Sequence, residues 1–173
     1  MDLLDAIQQD FEIIDEMAGT FLGKLPGNDM KKDLMLTAEL AGLILLRESD
    51  VDLSNLEPGG VVLGLIDDET YQLIHRFLFG CAHSAGLDPN ALFEGDLPED
   101  ISVYFPEITE YENHLYTLCK KNNVKPEYYS FIAACAAILL ILAGKEQKLL
   151  EPDLGLAMTM YHINAGSKTV PYD

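Results

Sequence analysis

The side chain with the most unusual setting in this sequence is the carboxylate of Glu39. It lies in the segment 36–43, Leu-Thr-Ala-Glu-Leu-Ala-Gly-Leu, on a predicted helix with apolar residues on nearly every side. A carboxylate buried there must be paired, hydrogen-bonded or protonated, and next to a histidine it could act as an acid or a base. The alternatives are a position at the edge of the helix or a salt bridge to a lysine. Glu39 is therefore a candidate catalytic residue whose burial the sequence leaves open.

A second candidate pair is Arg76 and His83, which are seven residues apart and nearly in line on one helix face. An arginine followed by a histidine after six intervening residues resembles the motif of HEPN-type ribonucleases, which are helical bundles that cut RNA at a dimer interface. The resemblance covers eight residues and implies that Arg76 and His83 act on RNA. Phe77 stands where that family usually has a polar residue, and the acidic surroundings repel RNA. The simpler interpretation is a solvent-facing pair, so both interpretations stay open.

Other catalytic and metal-binding patterns are missing from the sequence. Residues 59–64 form a glycine-rich stretch without the lysine and the hydroxyl of a phosphate-binding loop. None of the four histidines follows the His-Glu-x-x-His or Glu-x-x-His pattern of helical metal sites. Cys81 and His83 are two residues apart, about 200° around a helix axis, so they cannot act together as nucleophile and base. We therefore expect no cofactor and no metal ion.

The cysteines and the apolar segments favour a cytoplasmic protein. Cys81, Cys119 and Cys135 fall in apolar helical patterns, as small buried side chains do in a reducing compartment. The N-terminus carries acids where a secretory signal has positive charge. The longest apolar run, residues 131–144, covers about 21 Å as a helix against about 30 Å of bilayer hydrocarbon, so we expect a buried core helix.

Helical periodicity dominates the rest of the chain. Apolar residues recur at spacings of three and four, and three successive helices are predicted to begin at Pro-Glu or Pro-Asp, where proline and an acid both suit the first turn. We predict an all-α fold, a single helical-bundle-like domain of five to seven helices that spans residues 1–173. Residues 127–143 form its central buried helix in this prediction, and residues 34–46 pack on it.

Two segments allow alternative assignments. Residues 61–66 and residues 101–105 can each be a strand, and together they can form a minor two-stranded ribbon on the helical domain. The apolar stripe within residues 3–22 follows a heptad spacing for almost three heptads. This stripe either packs within the domain or forms the seam of a homodimer.

The charge of the chain is large, acidic and concentrated in one region. The 173 residues include 29 acidic and 11 basic side chains, which gives a formal net charge of −18. Residues 50–112 hold fourteen acids and a single base, Arg76, whereas residues 113–150 hold two acids and five lysines. This balance disfavours direct binding to nucleic acids and to anionic membranes, which both attract basic surfaces. It fits either a solvated acidic surface or a docking surface for a basic partner.

These observations favour an interaction protein over an enzyme. We predict a non-catalytic cytoplasmic interaction or regulatory protein whose acidic surface, residues 50–112, binds a basic protein partner. The alternative is a small helical-bundle enzyme, hydrolase or ribonuclease-like, that uses Arg76 and His83 or a buried Glu39 paired with a histidine. The acids predicted to contact the partner are Asp67, Asp68, Glu69, Asp96, Glu99, Asp100, Glu107 and Glu110.

Overall fold

Seven α-helices make up most of the chain that a computed structural model describes, which is residues 3–25, 27, 29–49, 51–62, 66–90 and 107–171. Their bounds are α1 (Leu3–Gln9), α2 (Phe11–Leu22), α3 (Met30–Glu48), α4 (Asp68–Ser84), α5 (Ile108–Lys121), α6 (Tyr129–Glu146) and α7 (Pro152–Gly166). A short 3-10 turn, Pro126–Tyr128, leads into α6. The described residues contain no β-strand beyond one isolated bridge, so the predicted all-α fold is confirmed.

The centre of the fold is α6, which packs against α3, α2 and α4. Its first ten residues are all buried, and four alanines among them let the neighbouring helices approach closely. The partner helix α3 is buried continuously from Asp33 to Leu46. The predicted central helix 127–143, with 34–46 packed on it, is therefore confirmed. The segment Pro126–Glu146 is long and apolar enough to cross a membrane, but 72% of its most apolar window is buried inside the protein, as in a core helix.

The two helices α3 and α7 approach each other closely where they cross. A methyl group on Gly42 of α3 would overlap the carbonyl oxygen of Ile163 and lie 2.6 Å from the backbone nitrogen of Ser167. A methyl group on Gly166 of α7 would overlap the carbonyl oxygen of Glu39. Because these atoms belong to the two backbones, neither helix can yield without moving as a whole. The two glycines therefore set the distance between α3 and α7.

The N-terminal apolar stripe packs inside the chain, and two helices carry it, α1 and α2, with a break at Asp10. Ile14 and Phe21 of this stripe are buried, and α2 contacts α6 and α5. The break coincides with a tertiary contact, because Asp10 Oδ2 accepts hydrogen bonds from the Tyr128 hydroxyl at 2.7 Å and from Lys125 Nζ at 3.4 Å. The homodimer seam expected along this stripe stays a prediction.

Residues 61 and 62, which begin one segment of the predicted two-stranded ribbon, contact the C-terminal segment. Val61 forms an isolated antiparallel bridge with Thr169, and the Val62 nitrogen donates to the Lys168 carbonyl at 2.7 Å. The expected partner segment, residues 101–105, lies outside the described residues. Because α7 has ended before this point, the backbone groups that follow it are available for pairing with Val61 and Val62.

The Gly42→Ala substitution tests the close crossing of α3 and α7. The added methyl group meets backbone atoms that cannot move aside, so we expect the free energy of unfolding to fall by about 3 kcal/mol. Gly80→Ala in α4 is the matched control, because a Cβ at Gly80 meets no heavy atom within 4 Å and alanine favours a helix by about 1 kcal/mol. Urea denaturation of both variants measures the difference. Equal stability of the two variants would contradict a crossing distance set by glycine.

Candidate functional site

Glu39 is buried in the structure, and His162 of α7 lies beside it. Glu39 Oε2 is 3.5 Å from His162 Nδ1, and the two side chains are 2% and 0% exposed. The pair lies where α3 and α7 cross, because Glu39 is about one turn before Gly42 on α3 and His162 is about one turn before Gly166 on α7. The close approach of the two backbones therefore brings these two side chains together away from water.

Burial governs the protonation of Glu39. It raises the pKa of this carboxyl above its ordinary value of 4.5, and the opposing effect of His162 is smaller. Desolvation has this effect because the charged form of an acid loses more hydration than the neutral form. The folded protein therefore holds a proton on Glu39 at pH values where the unfolded chain has lost it.

The space next to this pair, among the described residues, is too small for a substrate. The cavity that Glu39 lines measures about 10 Å³, which is at the limit for a single water molecule. Thr169 and Pro171 of the C-terminal segment also line it. The cavity that Glu39 lines among the described residues therefore has no room for a substrate, and the pair stands as part of the helix crossing.

Arg76 and His83 lie on the exposed side of α4 and do not meet at one cavity. Arg76 lines a cavity of about 320 Å³ between α1 and α4, and His83 is not among the described residues that line it. Seven helical residues separate the two Cα atoms by about 10 Å along the axis. Arg76, His83 and Glu39 therefore occupy three separate places. The sequence could not show this, because helical spacing specifies a face of a helix but not the neighbours of that face.

Three of the predicted partner-binding acids stand at the start of α4. Asp67, Asp68 and Glu69 are all exposed. Asp67 also caps the helix, because its carboxylate accepts hydrogen bonds from the backbone nitrogen and the hydroxyl of Thr70 at 2.8 and 2.9 Å, and these bonds lower its pKa. The carboxylate of Asp67 is therefore already hydrogen-bonded within the first turn of α4. Three further predicted acids lie outside the described residues: Asp96, Glu99 and Asp100.

The N-termini of α3 and α5 meet at a concave cluster of carboxylates, which we call the acidic cleft. It measures about 250 Å³. Lys32 Nζ pairs with Glu107 Oε1 at 2.5 Å and lowers the pKa of that carboxylate. Among the described residues that line the cleft, four carboxylates face one lysine, so the cleft is strongly negative. Its polar lining residues are Asp29, Lys32, Asp33, Glu107, Glu110 and Tyr111.

A buried hydrogen bond fixes the floor of the acidic cleft. The Tyr111 hydroxyl donates to Asp33 Oδ1 at 2.5 Å, and Asp33 is 4% exposed. Burial, followed by this neighbouring carboxylate, raises the pKa of Tyr111, so the hydroxyl keeps its proton. Sequence reasoning missed Asp33 because 78 residues separate it from Tyr111 and no local pattern links the two.

The cysteines are buried free thiols, as the sequence predicts. Cys135 Sγ lies 3.8 Å from Asp15 Oδ1, and a hydrogen bond with Cys81 together with burial raises the pKa of the Cys135 thiol. Burial raises the pKa of Cys119 to about 12. Because their pKa values are raised, the thiols of Cys119 and Cys135 stay protonated and are poor nucleophiles. Within the described residues, no group of three or more His, Cys, Asp or Glu side chains is arranged to hold a metal ion.

Comparison with protein-family models, curated proteins and solved structures finds no match to this chain. We therefore infer function from geometry alone. Among the described residues, the acidic cleft and the cavity beside Arg76 each have room for another molecule and charged groups to bind it.

Glu39→Gln removes the titrating carboxyl and keeps its size. In the wild type, the stability due to protonated Glu39 is complete below pH 4.5 and is lost as the pH rises through the raised pKa. The stability of E39Q relative to the wild type should therefore increase as the pH rises above about 4.5, as measured by urea unfolding. Glu16→Gln, at an exposed position of α2, controls for the loss of one negative charge. An E39Q variant whose pH profile follows that of the wild type would rule out a buried titrating Glu39.

Proposed function

We propose that this chain is a non-catalytic, cytoplasmic interaction or regulatory protein that binds a basic protein partner at the acidic cleft. The observation that carries the proposal is the concave arrangement of four carboxylates around one lysine. A lysine or arginine side chain that enters this space has carboxylates on several sides, which a flat acidic surface cannot offer. The cleft thus supplies a specific point of contact within a surface of general negative charge.

The charge of the chain supports the approach of such a partner. Residues 50–112 carry fourteen acids and one base. A surface of this sign accelerates association with basic molecules, and the effect weakens when salt screens charges beyond about 10 Å. Salt should therefore act mainly on the rate of association, whereas the acidic cleft determines where the partner binds.

The placement of the candidate catalytic residues supports binding rather than catalysis. Glu39 lines a cavity of only about 10 Å³, and Arg76 and His83 do not share a cavity among the described residues. An acid–base or nucleophilic mechanism needs its groups within hydrogen-bond reach of one substrate. Among the described residues, the cavity that Arg76 lines contains neither Glu39 nor His83.

Glu107 and Glu110 are the residues of the acidic cleft best suited to a test. Asp29 caps α3, and Asp33 holds a buried hydrogen bond, so removing either carboxylate would weaken the fold as well as the cleft. Glu110 is exposed, and Glu107 makes a surface ion pair with Lys32. Surface pairs of this kind contribute little to stability.

The double substitution Glu107→Gln and Glu110→Gln should weaken binding of a lysine-rich peptide by about fivefold at low salt, because two charge contacts are lost. Fluorescence anisotropy of the labelled peptide at low and high salt measures the affinity. Glu12→Gln with Glu16→Gln removes the same charge from exposed positions that do not line the cleft, and should change the affinity by less than about twofold. Equal losses in the two double variants would show that net charge alone attracts the peptide, and would contradict the acidic cleft as the site.

A further inference from the structure

The cavity between α1 and α4 has the properties of a small-molecule site. It measures about 320 Å³, which is within the range of ligand pockets in proteins. Its lining combines aromatic and aliphatic side chains with a guanidinium, an amide and a hydroxyl, and we call it the α1–α4 cavity. Six of its lining residues matter for binding: Gln8, Phe11, Arg76, Phe77, Gly80 and Ser84.

The apolar wall of this cavity is anchored in the core. The buried ring of Phe77 packs edge-on against Phe131 of α6, with centroids 5.1 Å apart. The ring of Phe11 stands 6.3 Å from that of Phe77 and is 37% exposed. One side of the cavity is therefore fixed and the other is open to solvent. An apolar group can enter past Phe11 and contact Phe77.

Arg76 places a positive charge beside this apolar wall. It is the single lysine or arginine in residues 50–112, and no carboxylate is among the described residues that line the cavity. Within the described part of the chain, Arg76 forms no ion pair. A guanidinium next to low-dielectric side chains binds an anion more strongly than one in open solvent, and its parallel N–H groups match the two oxygens of a carboxylate. The described lining residues thus carry a formal charge of +1, opposite in sign to the net charge of the chain.

Gly80 keeps the middle of the cavity open. It lies on α4 between Arg76 and Ser84, about one helical turn from each, and a Cβ at this position would meet no heavy atom within 4 Å. A ligand whose charged end is at Arg76 can therefore extend its apolar part over Gly80 toward Ser84. Because Gly80 has no side chain, the space between Arg76 and Ser84 is not interrupted along α4.

We propose that the α1–α4 cavity binds a small amphipathic monocarboxylate, with the carboxylate on Arg76 and the apolar part against Phe11 and Phe77. A neutral apolar molecule would gain nothing from the guanidinium, and a cation would be repelled by it. A phosphate group carries a charge of about −1.5 to −2 at neutral pH, which the single arginine of the lining balances only in part, whereas a carboxylate carries one charge. The cavity shares no lining residue with the acidic cleft, so this proposal and the proposed function can fail separately.

Isothermal titration calorimetry with three probes tests the proposal: octanoate, 3-phenylpropionate and the uncharged analogue 3-phenylpropanamide. At least one carboxylate should bind the wild type, and the tighter of the two shows whether the apolar part is aliphatic or aromatic. Arg76→Gln should weaken carboxylate binding by about tenfold and leave binding of the amide unchanged. His83→Gln is the matched control on α4, because His83 is exposed and is not among the described lining residues, and it should bind like the wild type.

Gly80→Leu provides a second test that does not depend on charge. The leucine side chain occupies the open middle of the cavity, so the affinity for the carboxylate should fall by at least about tenfold. The melting temperature should stay at or above that of the wild type, because leucine favours a helix over glycine. Failure of both carboxylates to bind the wild type at millimolar concentration would overturn the proposal. Equal affinity of the wild type and R76Q, or undiminished binding to G80L, would overturn it as well.

Discussion

The close approach of α3 and α7 at Gly42 and Gly166 is the tightest constraint that the glycines of this fold place on two of its helices. Two helices whose backbones touch exclude water along their line of contact, so polar groups next to that line must satisfy one another. Glu39 and His162 lie there, 3.5 Å apart. The helix α3 also packs on α6 and α5, and its N-terminus meets that of α5 at the acidic cleft.

Helix N-termini explain why the acids of this chain both stabilise the fold and shape its surface. Asp29 caps α3, Asp67 caps α4 and Glu107 precedes α5. Negative charge at these positions interacts favourably with the partial positive charge of a helix N-terminus. Where two such termini are adjacent, as at the acidic cleft, the same placement gathers several carboxylates in one concavity. The α1–α4 cavity lies along the sides of its helices, away from this pattern, and presents a single arginine.

Burial on all sides was predictable for α6 and α3, because a helix covered by neighbours is apolar all round and that composition is visible locally. Proline and an acid marked the start of the 3-10 turn that leads into α6 and the start of α7, because both residue types suit the first turn of a helix. Local patterns could not show contacts between residues that are far apart in the sequence. The first helix is divided at Asp10, which Tyr128 contacts from 118 positions away, and Val61 pairs with Thr169 of the C-terminal segment. The spacing of nearby residues indicates neither contact.

The all-α class, the identity of the buried helices and the acidic character follow from the amino-acid sequence, since periodicity, helix-start residues and total charge are local or additive properties. Which side chains become neighbours follows only from packing. Glu39 is enclosed with His162, and Arg76 shares a cavity with Phe11, because helices far apart in sequence meet at those points. The pKa of a carboxyl and the shape of a cavity depend on atoms from several helices at once. For that reason the sequence could identify Glu39 as unusual, and only the packing of α7 on α3 could show that the cavity it lines among the described residues measures about 10 Å³.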